Sequence, residues 1–439
     1  MVITPISVSL AIFLVTYALL FADKIHRTII SLAGASAMVL AGQALGFYRD
    51  FPSKGEGLPS ALTAIDFNTI GLLFGMMLLV GMLEETGFFE YISIRLAQLT
   101  RGNYWLLMLS LGWFTFIASG LVDNVTTIIF VSSITVSIAS VLRVDPIPLL
   151  LAEVMMAGIG GMATLIGDPP NIMIGSAAGL SFIDFIIFLT PLAILAGLVT
   201  TLTYRFSFRH QIARERPDLR GLMELDAPGA LHDRVTMRKI LIVLGLVLIG
   251  FTLHGQTHFA PATVAMTGAS VGLLWVRPNV LEVLNSTKWD VLLFFAGLFV
   301  IVGGLEAAGV LTMVAKAIGQ VALNYPLLAL IAIVWGGAML SAIVDNIPFT
   351  IAFIPVIGGL ASLGVDVLPL WWGLAVGVAI GGNATPIGAS ANVYVISLSD
   401  HIGTPIGFQR WLKIGIPLAV MQLFFATLIL YGMMKLGMI

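Results

Sequence analysis

The amino-acid sequence predicts an all-α polytopic membrane protein of two inverted-topology repeats, each with about five transmembrane helices, a re-entrant hairpin and a broken helix. Three observations predict this fold. Of the 439 residues, 59% are hydrophobic and only 10% are charged, unlike soluble domains of this size. Apolar runs long enough to cross a bilayer recur along the chain. Finally, three motifs occur twice, in the same order, at a shift of about 222 residues.

The N-terminal repeat is predicted to cover residues 1–204, and the C-terminal repeat residues 240–439. The first apolar run, residues 3–21, lacks both a preceding basic region and a small-residue cleavage site, which indicates a retained span and not a signal peptide. Residues 88–99 and 310–323 are amphipathic and follow matching spans. They are predicted to be helices that lie along the membrane interface.

An Asp-Asn pair marks the predicted tip of each hairpin. SGLVDNVTT contains Asp123 and Asn124, and SAIVDNIPF contains Asp345 and Asn346 at the matching positions. Asp caps helix N-termini well, so capping alone is the alternative interpretation. A carboxylate, however, costs at least about 2.5 kcal/mol at mid-bilayer, and Ser or Thr would cap nearly as well. The pattern therefore favours a functional role for both pairs.

A helix break is predicted at residues 160–171, in GGMATLIGDPPN, and another at residues 381–392, in GGNATPIGASAN. Proline lacks an amide proton and glycine loosens the backbone, so neither segment can continue a helix. Unwound backbone at membrane depth is tolerated only where it is buried in protein or lines a cavity. Each break therefore predicts half of a binding site. The two motifs differ where Asp168 of the first aligns with Ala389 of the second.

A polar segment, residues 205–239, is predicted to be a cytoplasmic linker between the repeats. Basic loops are retained in the cytoplasm. This rule places both termini outside and every Lys and Arg inside, except Arg49, Lys54, Lys316 and Lys435. The two halves then enter the membrane in opposite senses.

The predicted intramembrane carboxylates have no basic residue in their own segments. Residues 102–142, 144–204 and 317–409 contain neither Lys nor Arg. A buried carboxylate without a cation takes up a proton or binds a metal cation, and either behaviour can couple an ion gradient to transport. The predicted proton or ion carriers are Asp123, Asp168, Asp345 and Glu153. For Glu153, a protonated carboxyl bonded to a neighbouring helix is the alternative.

Several classes of function are excluded by what the sequence lacks. It has no Walker A loop, no dinucleotide-binding fingerprint and no nucleophile elbow, so an enzyme is not expected. It contains no cysteine, which excludes disulfides, thiolate metal sites and cysteine nucleophiles. We expect no cofactor, no resident metal and no nucleic-acid partner.

The motifs DNVTT, GGMATLIGDPPN, VDNIPFT and GGNATPIGASAN together resemble the ion-transporter superfamily that contains the arsenite permeases (ArsB) and the NhaD sodium/proton antiporters. Within this superfamily, the residues of these motifs are most similar to those of the branch that contains the melanosomal P protein. The resemblance implies a scaffold and a transport domain in each half, with substrate between the hairpin tips and the breaks. It implies substrate-binding roles for Asn124, Thr126, Thr127, Gly161, Thr164, Asn171, Asn346, Thr350, Gly382, Thr385, Ser390 and Asn392.

The predicted function is secondary active export of arsenite and antimonite across the cytoplasmic membrane in exchange for protons. Such export would confer resistance to arsenicals. Carboxylates around the site would repel an anion and suit a neutral polyhydroxyl such as As(OH)3, or a cation. The carboxylate-binding branch of the superfamily has Ser-Asn-Thr tips, whereas this chain has Asp-Asn. A sodium/proton antiporter using the same carboxylates is the main alternative, and an uncoupled channel is a third. A soluble ATPase subunit on the linker, or a second copy of the chain, is left open as a partner.

Overall fold

The computed structural model describes residues 4–22, 24–48, 61–215, 217–257 and 259–439. Arg49 and Lys54, which are predicted to lie outside the cell, fall beyond these ranges. Within the described ranges all regular elements are helices. Nine of these helices are long and apolar enough to cross a membrane. The predicted all-α polytopic class is therefore confirmed.

The helices of the two halves occur in the same order. The first half contains α1 (Pro5–Ala22), α2 (Arg27–Leu45), the 3-10 helix Leu62–Ala64, α3 (Phe67–Glu84), α4 (Phe88–Leu99), α5 (Tyr104–Leu121), α6 (Asn124–Leu142), α7 (Ile147–Met162), α8 (Pro169–Ala178) and α9 (Phe182–Ser207). The connection contains α10 (Arg209–Arg214), α11 (Leu219–Glu224) and α12 (Ala227–Ala230). The second half contains α13 (Arg234–Thr257), α14 (Pro261–Val276), α15 (Val280–Ser286), α16 (Trp289–Ala307), α17 (Val310–Asn324), α18 (Pro326–Ser341), α19 (Asn346–Ser362), α20 (Leu368–Gly382), α21 (Ser390–His401) and α22 (Phe408–Lys435). Apart from the short α15, helices α13 to α22 follow the order of α1 to α9.

Most of the helices pack into two groups. The scaffold group consists of α1, α2, α3, α13, α14 and α16, in which α2 packs along α16 and α3 packs along α14. The site group consists of α5 to α9 and α18 to α22, in which α5 packs along α7 and α18 along α20. Both groups combine helices from the two halves, so neither half forms a separate domain. Helices α4 and α17 lie at the predicted amphipathic segments and contact the hairpin helices α6 and α19.

The connection between the halves is packed against one end of the molecule. Leu222 and Ala227 are fully buried. The Gln98 side chain on α4 donates a hydrogen bond to the Leu225 carbonyl, and the His232 amide donates one to the Thr86 carbonyl. The connection is therefore joined to α4 and to the segment that precedes it.

The predicted hairpins correspond to the helix pairs α5/α6 and α18/α19. The arms of the first are 18 and 19 residues long, and those of the second are 16 and 17. Arms of this length suit either a re-entrant hairpin or a spanning pair. The re-entrant path therefore remains a prediction. At both tips the Asp side chain accepts from a backbone amide of the returning helix, Thr126 for Asp123 and Ile347 for Asp345.

Helical structure is interrupted between α7 and α8 and between α20 and α21, within the two segments where breaks are predicted. Close backbone contacts hold the helix before each break against a hairpin arm. A Cβ on Gly160 would lie 2.1 Å from the Phe116 carbonyl oxygen, and a Cβ on Gly381 would lie 2.4 Å from the Ala338 carbonyl oxygen. Glycine is therefore required at both positions for the helices to approach this closely.

An asparagine satisfies the unpaired carbonyl groups of each break. Asn171 Nδ2 lies 3.2, 3.1 and 2.8 Å from the carbonyl oxygens of Gly161, Met162 and Thr164. Asn392 Nδ2 makes the equivalent bonds to Gly382, at 2.8 Å, and Thr385, at 2.9 Å. Each break is thus closed by a side chain from the helix that follows it.

We expect Gly160→Ala to destabilise the protein, because the new methyl group would collide with the backbone of α5. Overpacking of this kind costs about 1–3 kcal/mol. The matched control is Gly336→Ala in α18, where a Cβ would meet nothing within 4 Å and where alanine favours the helix by up to about 1 kcal/mol. Thermal unfolding in detergent should show a lower midpoint for Gly160→Ala only. Equal midpoints for the two variants would contradict the close packing.

We expect Asn171→Asp to destabilise the first break, since a carboxylate would face three carbonyl oxygens that now accept from an amide. The loss of a buried donor costs about 1–3 kcal/mol. Asn324→Asp, at the exposed C-terminal end of α17, is the control with the same chemical change. The unfolding midpoint in detergent should fall for Asn171→Asp and stay near the parent value for Asn324→Asp. An unchanged midpoint for Asn171→Asp would show that the break does not depend on these bonds.

Candidate functional site

A cavity of about 620 Å³ lies where the hairpin tips and the helix breaks meet. We name it the inner cavity, because the residue charges predict that it opens to the cytoplasm. The site group contributes Asp123, Asn124, Val125, Ile129, Asp168, Pro169, Asn346, Ile347, Ala389 and Ser390 to its lining. The scaffold group and its loops contribute Lys24, Ile25, His26, Arg27, Thr28, Leu73, Met77, Lys288, Asp290, Val291 and Phe294. The cavity thus lies between the two helix groups.

Four helices of the site group begin at this cavity, as do α2 and α16 of the scaffold group. Helices α6 and α19 start at the hairpin tips, and helices α8 and α21 start directly after the two breaks. The N-terminus of a helix carries a partial positive charge and free amide groups. The helix dipoles therefore add positive potential to the site, although α8 begins with Pro169 and Pro170, which have no amide proton.

Asp168 connects the two half-sites. Its carboxyl group is buried, and Oδ2 accepts a hydrogen bond of 3.1 Å from Nδ2 of Asn346 in the other half. In the described part of the chain, Asp168 forms no salt bridge. A buried carboxyl group at the centre of the site is thus held by a neutral amide.

Asp345 has a different environment, because the fold brings it a cation from a distant segment. Arg27 Nη1 lies 2.6 Å from Asp345 Oδ2 and 2.9 Å from Ser390 Oγ. Ser390 also donates to Asp345 Oδ2 at 2.6 Å. The local segment of Asp345 lacks basic residues, as the sequence shows, yet the carboxylate is ion-paired across the boundary between the helix groups.

Lys288 approaches the other hairpin tip. Its Nζ donates a hydrogen bond of 2.8 Å to Thr126 Oγ1. A small pocket beside this contact is lined by Glu84, Asp123, Thr126 and Lys288. Around the inner cavity, the described cations Lys24, Arg27 and Lys288 offset part of the charge of Asp123, Asp168, Asp290 and Asp345, the last being the partner of Arg27. The carboxylates alone therefore do not determine the charge of the site.

The structure separates the predicted substrate-binding residues into two sets. Asn124, Asn346 and Ser390 line the inner cavity, and Thr126 lines the adjoining pocket. The others are not among the lining residues: Thr127, Gly161, Thr164, Asn171, Thr350, Gly382, Thr385 and Asn392.

The polar groups of this second set mostly contact backbone. Thr164 and Thr385 donate to the carbonyls of Gly120 and Ala342 at the ends of the hairpin arms, and Thr350 donates to the Asn346 carbonyl. Within the described chain, Thr127 Oγ1 is buried without a hydrogen-bond partner. The positions of these residues support the shape of the half-sites, and a direct contact with substrate remains a prediction for them.

Glu153 lies away from both the cavity and the breaks. It is fully buried on α7, and its Oε1 accepts a hydrogen bond of 2.5 Å from Thr135 on α6. Its Oε2 has no hydrogen-bond partner among the described residues. This geometry matches the alternative of a carboxyl group bonded to a neighbouring helix, and its coupling role remains a prediction.

A second cavity, of about 580 Å³, lies at the opposite end of α16. We name it the outer cavity, and its lining includes Asp66, Met173, Ser176, Phe299, Glu306 and Ile351. On α8 the inner cavity reaches Pro169 and the outer cavity reaches Met173. Four residues of helix span about 6 Å, so along α8 a thin layer of about one helical turn separates the residues that line the two cavities.

Sequence reasoning missed Arg27 and Lys288, because basic residues near span ends were taken only as indicators of orientation. One signal for Lys288 was available. The shift that relates the repeats aligns Lys288 with Asp66, and each directly precedes a matching helix, α16 and α3. No comparable pattern in the sequence indicates that Arg27 contacts Asp345.

Comparison with known proteins agrees with this architecture. The family model described as "Citrate transporter" matches residues 17–377. The chain is 35% identical to the 46 kDa membrane protein of Mycobacterium leprae, over 97% of this chain and 98% of that protein. It is 36% identical to an uncharacterised transporter of Mycobacterium tuberculosis, over 97% of both. It is 30% identical to the human P protein, over 95% of this chain and 59% of the P protein.

Two solved transporters share the fold at low sequence identity. The Alcanivorax borkumensis YdaH transporter superposes with a TM-score of 0.65 at 17% identity, covering 94% of this chain and 99% of that one. Neisseria gonorrhoeae MtrF, described as an antimetabolite efflux pump, superposes with a TM-score of 0.58 at 11% identity, covering 99% and 95%. These structures support the fold alone.

The predicted resemblance to this permease superfamily and to its P-protein branch is confirmed, and so is the expectation of a transporter instead of an enzyme. These comparisons do not show that the chain is specifically an arsenite permease. On the family match and the full-length relatives, this multi-pass membrane protein belongs to the citrate transporter family of secondary transporters.

Proposed function

We propose that this transporter exports arsenite and antimonite, as their neutral hydroxides, in exchange for protons across the cytoplasmic membrane. The observation that carries the proposal is Asp168, a buried carboxyl group between the two half-sites that is bonded to Asn346. A carboxyl group in such a place changes its protonation with its surroundings. Asp168 and Asp123 are the proposed proton carriers.

The inner cavity suits a small molecule with several hydroxyl groups. Hydroxyl groups can donate to the carboxylates of Asp123 and Asp168, and they can accept from the amides of Asn124 and Asn346. These four side chains come from both hairpin tips and the first break. A trigonal hydroxide could contact groups from both repeats at once.

The charge balance favours a neutral substrate over an anion. Arg27 is engaged by Asp345 and Ser390, and Lys288 by Thr126. A citrate-like anion would have to displace these partners while approaching Asp123 and Asp168. Citrate transport, which the family description names, is therefore assayed beside arsenite transport as an alternative.

Alternating access supplies the coupling. In the structure the site faces the inner cavity, and a second state would expose it to the outer cavity. Exchange requires that protons bind in the outward state and leave in the inward state, while substrate does the reverse. The thin layer between the cavities means that a displacement of about one helical turn suffices.

Sodium/proton antiport is the second candidate. Its supporting observation is the set of hard oxygen ligands offered by Asp123, Asn124, Asp168 and Asn346 around one cavity. The same carboxylates would then alternate between sodium and protons. Uncoupled passage through a channel would equilibrate a substrate without concentrating it.

We expect Asp168→Asn to abolish proton-driven accumulation of arsenite in everted membrane vesicles. One pH unit is worth about 1.4 kcal/mol per proton and supports about tenfold accumulation. The variant, which cannot titrate, should give a ratio near one. The matched control is Asp400→Asn at the exposed end of α21, which should accumulate arsenite like the parent. Intact accumulation in Asp168→Asn would overturn the coupling role.

We expect arsenite uptake to follow an imposed pH gradient equally well with and without sodium, because protons alone drive the proposed exchange. The measurement is arsenite uptake into the same vesicles, quantified by radiolabel or by total arsenic content, with citrate assayed in parallel. If arsenite does not move while added sodium collapses the pH gradient, the sites belong to an antiporter. Citrate accumulation without arsenite uptake would instead favour a carboxylate carrier.

A further inference from the structure

Arg27 lies where the two helix groups touch at the inner end of the site. It is the first residue of α2 in the scaffold group. Its Nη1 contacts Asp345 at the second hairpin tip and Ser390 at the start of α21, both in the site group. One guanidinium group therefore holds two separate elements of the second half-site against the scaffold.

The first half-site has a different arrangement. The alignment of the breaks sets Pro169 against Ser390 and Asp168 against Ala389. The nearby cation, Lys288, donates to the Thr126 hydroxyl group, and within the described ranges it forms no salt bridge with a tip carboxylate. Only in the second half-site, among the described residues, does a cation contact both a tip carboxylate and a hydroxyl group at the break. The break of that half-site contains no carboxylate.

We propose that Arg27, Asp345 and Ser390 form a latch that stabilises the inward-open state. The inference rests on the proposed alternating access and adds a positioning residue to the same site. Movement of the site group by one helical turn, about 5.4 Å, would carry Asp345 and Ser390 beyond hydrogen-bonding distance of Arg27. The contact therefore stabilises one state only, and its removal shifts the population towards the outward-open state.

The absence of cysteine from the chain makes this shift measurable. Val125 lines the inner cavity on the site group and takes no part in the latch. In a Val125→Cys background, a membrane-impermeant maleimide added from the outer side reports how often the site faces outward. The latch predicts slow labelling in this background.

We expect Arg27→Gln to raise the outer-side labelling rate about fivefold or more, which is the usual lower range for coupling between two conformations. Ser390→Ala should give a smaller rise, because it leaves the ion pair between Arg27 and Asp345 in place, and Arg27→Lys should restore part of the slow labelling. Lys24→Gln is the matched control, since Lys24 is exposed at the mouth of the same cavity and the variant loses the same charge. Its labelling rate should equal that of the Val125→Cys background.

An unchanged rate in both Arg27→Gln and Ser390→Ala would overturn the latch, and so would an equal rise in Lys24→Gln, which would indicate a general effect of charge. If Arg27→Gln does not fold, Ser390→Ala and Arg27→Lys decide the question. Labelling needs no substrate, so the two proposals can fail separately. A raised labelling rate in the variants, without arsenite uptake by the parent, would support the latch and contradict the substrate assignment. Arsenite uptake with an unchanged labelling rate would support the substrate assignment and contradict the latch.

Discussion

The constraint on which this structure depends is the hydrogen bonding of backbone that leaves the helix inside the membrane. Lipid offers no partner for a free carbonyl or amide group. Asn171 and Asn392 satisfy the carbonyls of the two breaks, and Thr164 and Thr385 tie the same segments to the hairpin arms. Because these bonds use protein partners, the helices after the breaks can begin at a cavity inside the protein. The site therefore depends on these hydrogen bonds to the unwound backbone of the two breaks.

Much of this arrangement could be predicted from the sequence, because its signals are local. Glycine and proline indicate the breaks at 160–171 and 381–392, and the paired Asp-Asn motifs indicate the tips, regardless of what surrounds them. The ion pair between Arg27 and Asp345 could not be predicted, since the two residues are 318 positions apart. Which predicted polar groups face the cavity also depends on tertiary packing. The motifs of Asn171 and Asn124 look equally functional, yet the first bonds backbone and only the second lines the cavity.

The two half-sites share a backbone plan and differ in chemistry. At one break the chain has Asp168 and Pro169, and at the other it has Ala389 and Ser390. The first half-site therefore holds a buried carboxyl group bonded to an amide, while the second holds a carboxylate bonded to a guanidinium group. In the proposed mechanism, ion exchange depends on the first repeat and the control of movement on the second. An ancestral symmetry in the backbone is compatible with this specialisation of the side chains.

The thin layer between the two cavities has an electrical consequence. Solvent can enter the inner cavity as far as Pro169 and the outer cavity as far as Met173. Water screens the membrane voltage far better than protein does, so most of the voltage falls across the few ångströms between these residues. A full elementary charge crossing a membrane at 100 mV gains or loses about 2.3 kcal/mol. In the proposed exchange, a proton that crosses this layer would exchange nearly all of that energy in a displacement of about one helical turn, so we expect the exchange step to be sensitive to voltage.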